Sequence, residues 1–112
     1  MQDTAKSLPI KANTKHEIVE IIQANRERFA EFGVSEIGLF GSFVREEANE
    51  ESDIDLLVNL SNHGYENFCQ LIDFTQSLFE GRKVDLITED SINEINGIYI
   101  CKEVEYVVKN ER

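Results

Sequence analysis

A Gly-Ser pair and three aspartates are the residues whose types and spacing could do chemistry in this chain. Gly41-Ser42 closes one apolar run, and Asp53-Ile54-Asp55 opens the next, with a charged loop between them. Side chains alternate along a strand, so Asp53 and Asp55 project to one face while Ile54 and Leu56 fill the other. Two like charges beside an apolar core either push a pKa up or recruit a cation, and a hard ion such as Mg²⁺ takes oxygen ligands of this kind. Asp85, in Lys83-Val84-Asp85-Leu86-Ile87, can join them if its strand is a neighbour of the second. Three carboxylates could then hold two metal ions, which stabilise the attacking and leaving oxygens of an in-line displacement at phosphorus. Gly41, with no Cβ, lets a phosphate approach the backbone. Ser42, at a helix start, offers a hydroxyl and N–H groups to an anion.

Each piece alone has an ordinary explanation. Gly-Ser after a strand is usually a turn, and a lone Asp-x-Asp more often caps a strand end than binds a metal. Asp85 alone says almost nothing. It is the set, at this spacing, that points to phosphoryl chemistry. Other polar features have plainer readings. Glu46, Glu47, Glu50 and Glu51 form an exposed acidic loop, and His16 and His63 suit surface roles. Arg82 and Lys83 either lower the pKa of Asp85 or meet a nucleotide, with a strand-end charge as the alternative for Lys83. Phe68, Phe74 and Phe79 suit the core better than base stacking.

The elements that must position these residues follow from the pattern. Residues 1–13 are polar, contain the only proline and read as an N-terminal arm. Residues 14–112 read as a single domain. Thr14-Lys15-His16-Glu17 matches a capping box, and apolar residues from Ile18 to Phe32 predict one helix stopped by Gly33. Ile37–Phe40 reads as a first strand, residues 42–48 as a short helix, and Asp53–Leu60 as a second strand. Phe68 to Phe79 carries a helical stripe running to Gly81, and Val84–Thr88 a third strand. Ser91-Ile92-Asn93-Glu94 opens a last helix. Tyr106-Val107-Val108 either completes the sheet or forms an apolar patch for a partner. The fold class is α/β (α+β), a small sheet with helices packed on it.

At 112 residues, with 41% hydrophobic and 29% charged, the composition is that of one ordinary globular domain. Eleven Lys+Arg against 22 Asp+Glu give a net charge of −11, which repels a phosphate backbone and argues against direct nucleic-acid binding. A metal ion and a basic protein are compatible partners. Cys69 and Cys101 have no metal-ligand or disulfide spacing, so a reducing cytoplasm is the simplest home. Residues 1–15 have no signal-peptide run, and nothing suggests a membrane.

Gly-Ser, ten residues, Asp-x-Asp and a later strand Asp together resemble the nucleotidyltransferase superfamily with the polymerase-beta-like fold. The short length is similar to its minimal members, the MNT antitoxins paired with HEPN-domain RNase toxins. The resemblance spans residues 15–108. It implies a mixed sheet, Gly41 and Ser42 as the phosphate-binding turn, Asp53, Asp55 and Asp85 as catalytic ligands of two Mg²⁺ ions, and Arg45 on the triphosphate. It further implies AMP transfer from ATP to a hydroxyl of a cognate HEPN toxin, with tyrosine the expected acceptor. Alternatives are occlusion of the toxin without catalysis, and transfer to a small molecule. Family members often follow Gly-Ser with Arg and carry Gly four residues after the Ser, where this chain has Phe43 and Glu46.

Overall fold

Strands and helices alternate as the pattern predicts in a computed structural model of the chain, which describes residues 12–62, 64–89 and 103–109. The order is α1 (Lys15–Ala24), α2 (Arg26–Glu31), β1 (Val34–Phe40), α3 (Ser42–Arg45), β2 (Ile54–Leu60), α4 (Tyr65–Ser77), β3 (Val84–Thr88) and β4 (Glu105–Val108). The strands form one mixed sheet, β3-β2-β1-β4. β1 runs antiparallel to β2 and β4, whereas β2 and β3 are parallel. A parallel pair needs a crossover, and α4 supplies it. Tyr106 to Val108 thus completes the sheet.

One face of the sheet holds the core. Ile37 and Leu39 of β1 and Ile54, Leu56 and Val58 of β2 meet Ile18 and Ile22 of α1, Phe29 of α2 and Leu71 of α4. A side chain of this type contributes roughly 2 kcal/mol when fully buried, so these residues dominate the stability. Phe40 and Leu57, on the opposite face, are also buried, and Val104 lies against Gly38 where a Cβ would otherwise stand.

Several boundaries differ from the sequence reading, among them the short helix expected over residues 42–48, which spans only Ser42–Arg45. The first helix breaks at Asn25, whose side-chain Nδ2 donates to the Ile21 carbonyl at 2.8 Å. In a continuous helix that carbonyl would accept the Asn25 backbone N–H, which bonds Ile22 instead. β1 starts three residues early, because Val34 and Glu36 pair with Leu60 and Asn59 of β2 across a bulge at Ser35, and side-chain bonds from Ser35 and to Glu36 add to that pairing. β2 begins at Ile54, not Asp53, and α4 ends at Ser77, four residues before Gly81. Half of the predicted capping box forms at Thr14: its Oγ1 accepts from Glu17 N–H at 3.1 Å, whereas Glu17 Oε1 accepts from the N–H of Asn13, one residue before the cap, at 2.7 Å. Ala12 is buried and Asn13 bonds Arg82, so these last two residues of the predicted arm join the packed body. Residues 1–11, the helix predicted from Ser91, His63 and Cys101 lie outside the described residues. Among the described residues no helix is long and apolar enough to cross a membrane.

Candidate active site

The parallel register of β2 and β3 sets Asp55 directly beside Asp85, with Ile54 beside Val84. Neighbouring strands are about 4.8 Å apart, and directly paired residues point to the same face. Across the other ladder Asp55 faces Phe40, the residue before Gly41. The Gly-Ser turn and two of the three predicted carboxylates therefore meet at one end of the sheet, on the face away from the main core. Asp53 stands two residues before Asp55 at the entry to β2.

Gly41 is needed for this approach. Its φ is 87°, and a Cβ there would collide with the Asp55 carboxylate. Ser42 then opens α3 and is half-buried. The Asp55 carboxyl is pushed up to about 6, first by burial and then by the negative charges of Asp85, Asp53 and Glu103, with Arg45 opposing. Like charges so placed favour a proton or a cation on Asp55. The donor set, all carboxylate oxygen, suits a hard ion such as Mg²⁺. Among the described residues no group of three His, Cys, Asp or Glu side chains forms a ready-made metal cage.

Glu103 is a site residue that the sequence reading missed. Its Oε2 accepts from the Gly41 N–H at 2.9 Å, and its Oε1 accepts from Arg45 Nη1 at 3.0 Å. Glu47 accepts from Arg45 Nε at 3.0 Å, and these two partners raise the Arg45 pKa above its ordinary value. Glu103 lies 62 residues beyond Gly41, so no local motif advertises it. Of the two basic residues near Asp85, only exposed Lys83 faces it, at 3.5 Å. Arg82 turns inward.

The sequence model for the nucleotidyltransferase domain matches residues 18–112. The chain belongs to the nucleotidyltransferase domain family. Protein adenylyltransferase MntA of Thermococcus cleftensis is 38% identical over 96 residues, spanning 84% of this chain and 96% of the relative. A solved toxin-antitoxin structure with AMP-PNP aligns at a TM-score of 0.62 and 18% identity, over 86% of this chain and 73% of that one. A complex of tri-AMPylated Shewanella oneidensis HEPN toxin with MNT antitoxin aligns at 0.53, also at 18% identity, over 79% of this chain and 72% of that one. These two structures share the fold of this nucleotidyltransferase.

The two departures from the usual nucleotidyltransferase pattern have structural explanations. Phe43 is buried and belongs to the hydrophobic core, so its side chain leaves the turn's anion-facing groups unchanged. Glu46 ends α3 in the left-handed region, φ 61° and ψ 34°. Glycine adopts that conformation without a Cβ penalty, which accounts for Gly at this place in other nucleotidyltransferases. The acidic residues Glu46, Glu47, Glu50 and Glu51 are exposed, and His16 pairs with Glu20 on the surface of α1.

Proposed function

We propose that this nucleotidyltransferase is an antitoxin that moves AMP from ATP to a hydroxyl, with tyrosine the expected acceptor, on a cognate HEPN RNase toxin and so neutralises it. The observation that carries the reading is the placement of Asp55 beside Asp85 and against Gly41, in a chain that matches a protein adenylyltransferase over nearly that relative's whole length. Asp53 and Asp55 would hold two Mg²⁺ ions, and Asp85 one of them. When bound, the ions supply Lewis-acid stabilisation of charge on the phosphate oxygens.

The chain's own groups do the rest by positioning and electrostatics. Gly41 and Ser42 receive the terminal phosphates, and Arg45 exchanges its carboxylate partners for phosphate oxygens. Asp85 orients the acceptor hydroxyl. Its oxygen forms the new bond to the α-phosphorus as the bond to pyrophosphate breaks, and its proton passes to a site carboxylate. An ATP donor and an RNase partner suit the cytoplasm as the setting.

The test is incubation with the protein encoded by the neighbouring gene, screened for a HEPN RNase, with Mg²⁺ and ATP, followed by intact-mass measurement of that protein. A mass rise by whole AMP units is expected, absent with Asp53→Asn/Asp55→Asn. A tight complex that suppresses the RNase with no mass change would replace this reading with occlusion. Turnover with no partner protein would point to a small-molecule acceptor.

A further inference from the structure

Arg82 is a buried cation, 5% exposed, in a chain where exposed carboxylates are plentiful. Its guanidinium nevertheless serves neutral oxygens. Nη1 donates to the Asn49 carbonyl at 2.9 Å and to the Ser52 carbonyl at 2.8 Å. Nη2 donates to Asn13 Oδ1 at 3.1 Å, and Nε to the Ala12 carbonyl. The guanidinium carbon stands 4.9 Å from the centre of the Phe43 ring. A cation placed this deep is costly unless its donors are used, and a planar fork can direct four of its five N–H groups to these oxygens together as a three-donor ammonium cannot.

The contacts fall next to the proposed site segments. Ser52 immediately precedes Asp53, Phe43 immediately follows Ser42, and Arg82 itself is three residues before Asp85. The loop from Asn49 to Ser52 is shaped by its own bonds: Asn49 N–H donates to Ser52 Oγ, and Glu51 N–H to Asn49 Oδ1, both at 2.8 Å. Those bonds give the loop a form without attaching it to the body. The two bonds from Arg82 attach it, and they do so at both ends of the turn. We propose that Arg82 is a positioning residue of the carboxylate site, fixing the Asn49–Ser52 loop and with it the place of Asp53 relative to Asp55 and Asp85.

The inference rests on the reading of Asp53 and Asp55 as metal ligands, and the test separates the two. Mn²⁺ is the probe, its free concentration read by electron paramagnetic resonance, on the full chain with thermal melting as the control for folding. Wild type is expected to bind Mn²⁺ and Asp55→Asn to lose it. Arg82→Lys is expected to melt cooperatively yet bind Mn²⁺ about tenfold more weakly, as for loss of an outer-shell partner. AMP transfer by this variant should fall in kcat more than in KM for ATP. Should Arg82→Lys not fold, Phe43→Leu decides, since it keeps an apolar core residue and removes the platform; a weaker loss of Mn²⁺ affinity is expected. Wild-type Mn²⁺ affinity in a folded variant overturns the positioning role alone. Wild-type protein that binds no Mn²⁺ overturns the metal site and this inference with it.

Discussion

Asp55 carries opposed demands. A half-buried carboxyl crowded by Asp85, Asp53 and Glu103 holds its proton up to about 6, against 3.8 for the free group. The folded protein therefore binds this proton more tightly than the unfolded chain. Without metal, stability is lost as pH rises from about 4 through about 6, in proportion to how far the folded value exceeds the unfolded one. Replacing the carboxylate with a neutral isostere removes that cost. Asp55→Asn is expected to melt higher than wild type at pH 7 in the presence of chelator, with the difference vanishing toward pH 4. A lower melting temperature at pH 7 would refute the account. The same variant should transfer no AMP, which makes the gain in stability and the loss of activity two readings of one charge.

At the scale of elements, β2 is the most legible part of the sequence. Ile54, Leu56, Val58 and Leu60 alternate with polar or outward residues, and that period alone puts Asp55 on the correct face. The start of β1 is hidden because Ser35 and Glu36 look like turn residues, and it is the long-range pairing of Val34 and Glu36 with Leu60 and Asn59 that makes this stretch strand. The break at Asn25 is hidden for a similar reason, a side chain taking a backbone's acceptor. Asp85 is in phase, but its use depends on β2 and β3 being neighbours, a long-range fact. Glu103 depends on a still longer one. The short helix α3 makes its own prediction. It ends on Glu46 at φ 61°, and a left-handed conformation costs an L-residue about 1–2 kcal/mol. Glu46→Gly should raise unfolding free energy by roughly 1 kcal/mol in urea titrations, the small gain reflecting glycine's looser unfolded chain. No gain, or a loss, would mean that the Glu side chain compensates the strain.

For the molecule as a whole, charge and topology set how the site is used. A net charge of −11 on 112 residues would speed encounter with a basic RNase surface, and added salt would weaken that effect. The association rate with the proposed HEPN partner is expected to fall steeply between low and physiological ionic strength while the dissociation rate changes little. A flat salt response would show that the charge plays no steering part. The order β3-β2-β1-β4 has a further effect, on timing. β1 is made early, yet its second edge waits for β4, with Ile37 paired to Val108, and the Gly41 amide waits for Glu103. During translation the Gly-Ser and Asp-x-Asp residues all emerge well before the groups that hold them. A ribosome that stops short of Glu103 releases a fragment bearing every recognisable motif and an open sheet edge, so the proposed capacity to disarm a toxin arrives only once β4 has been made.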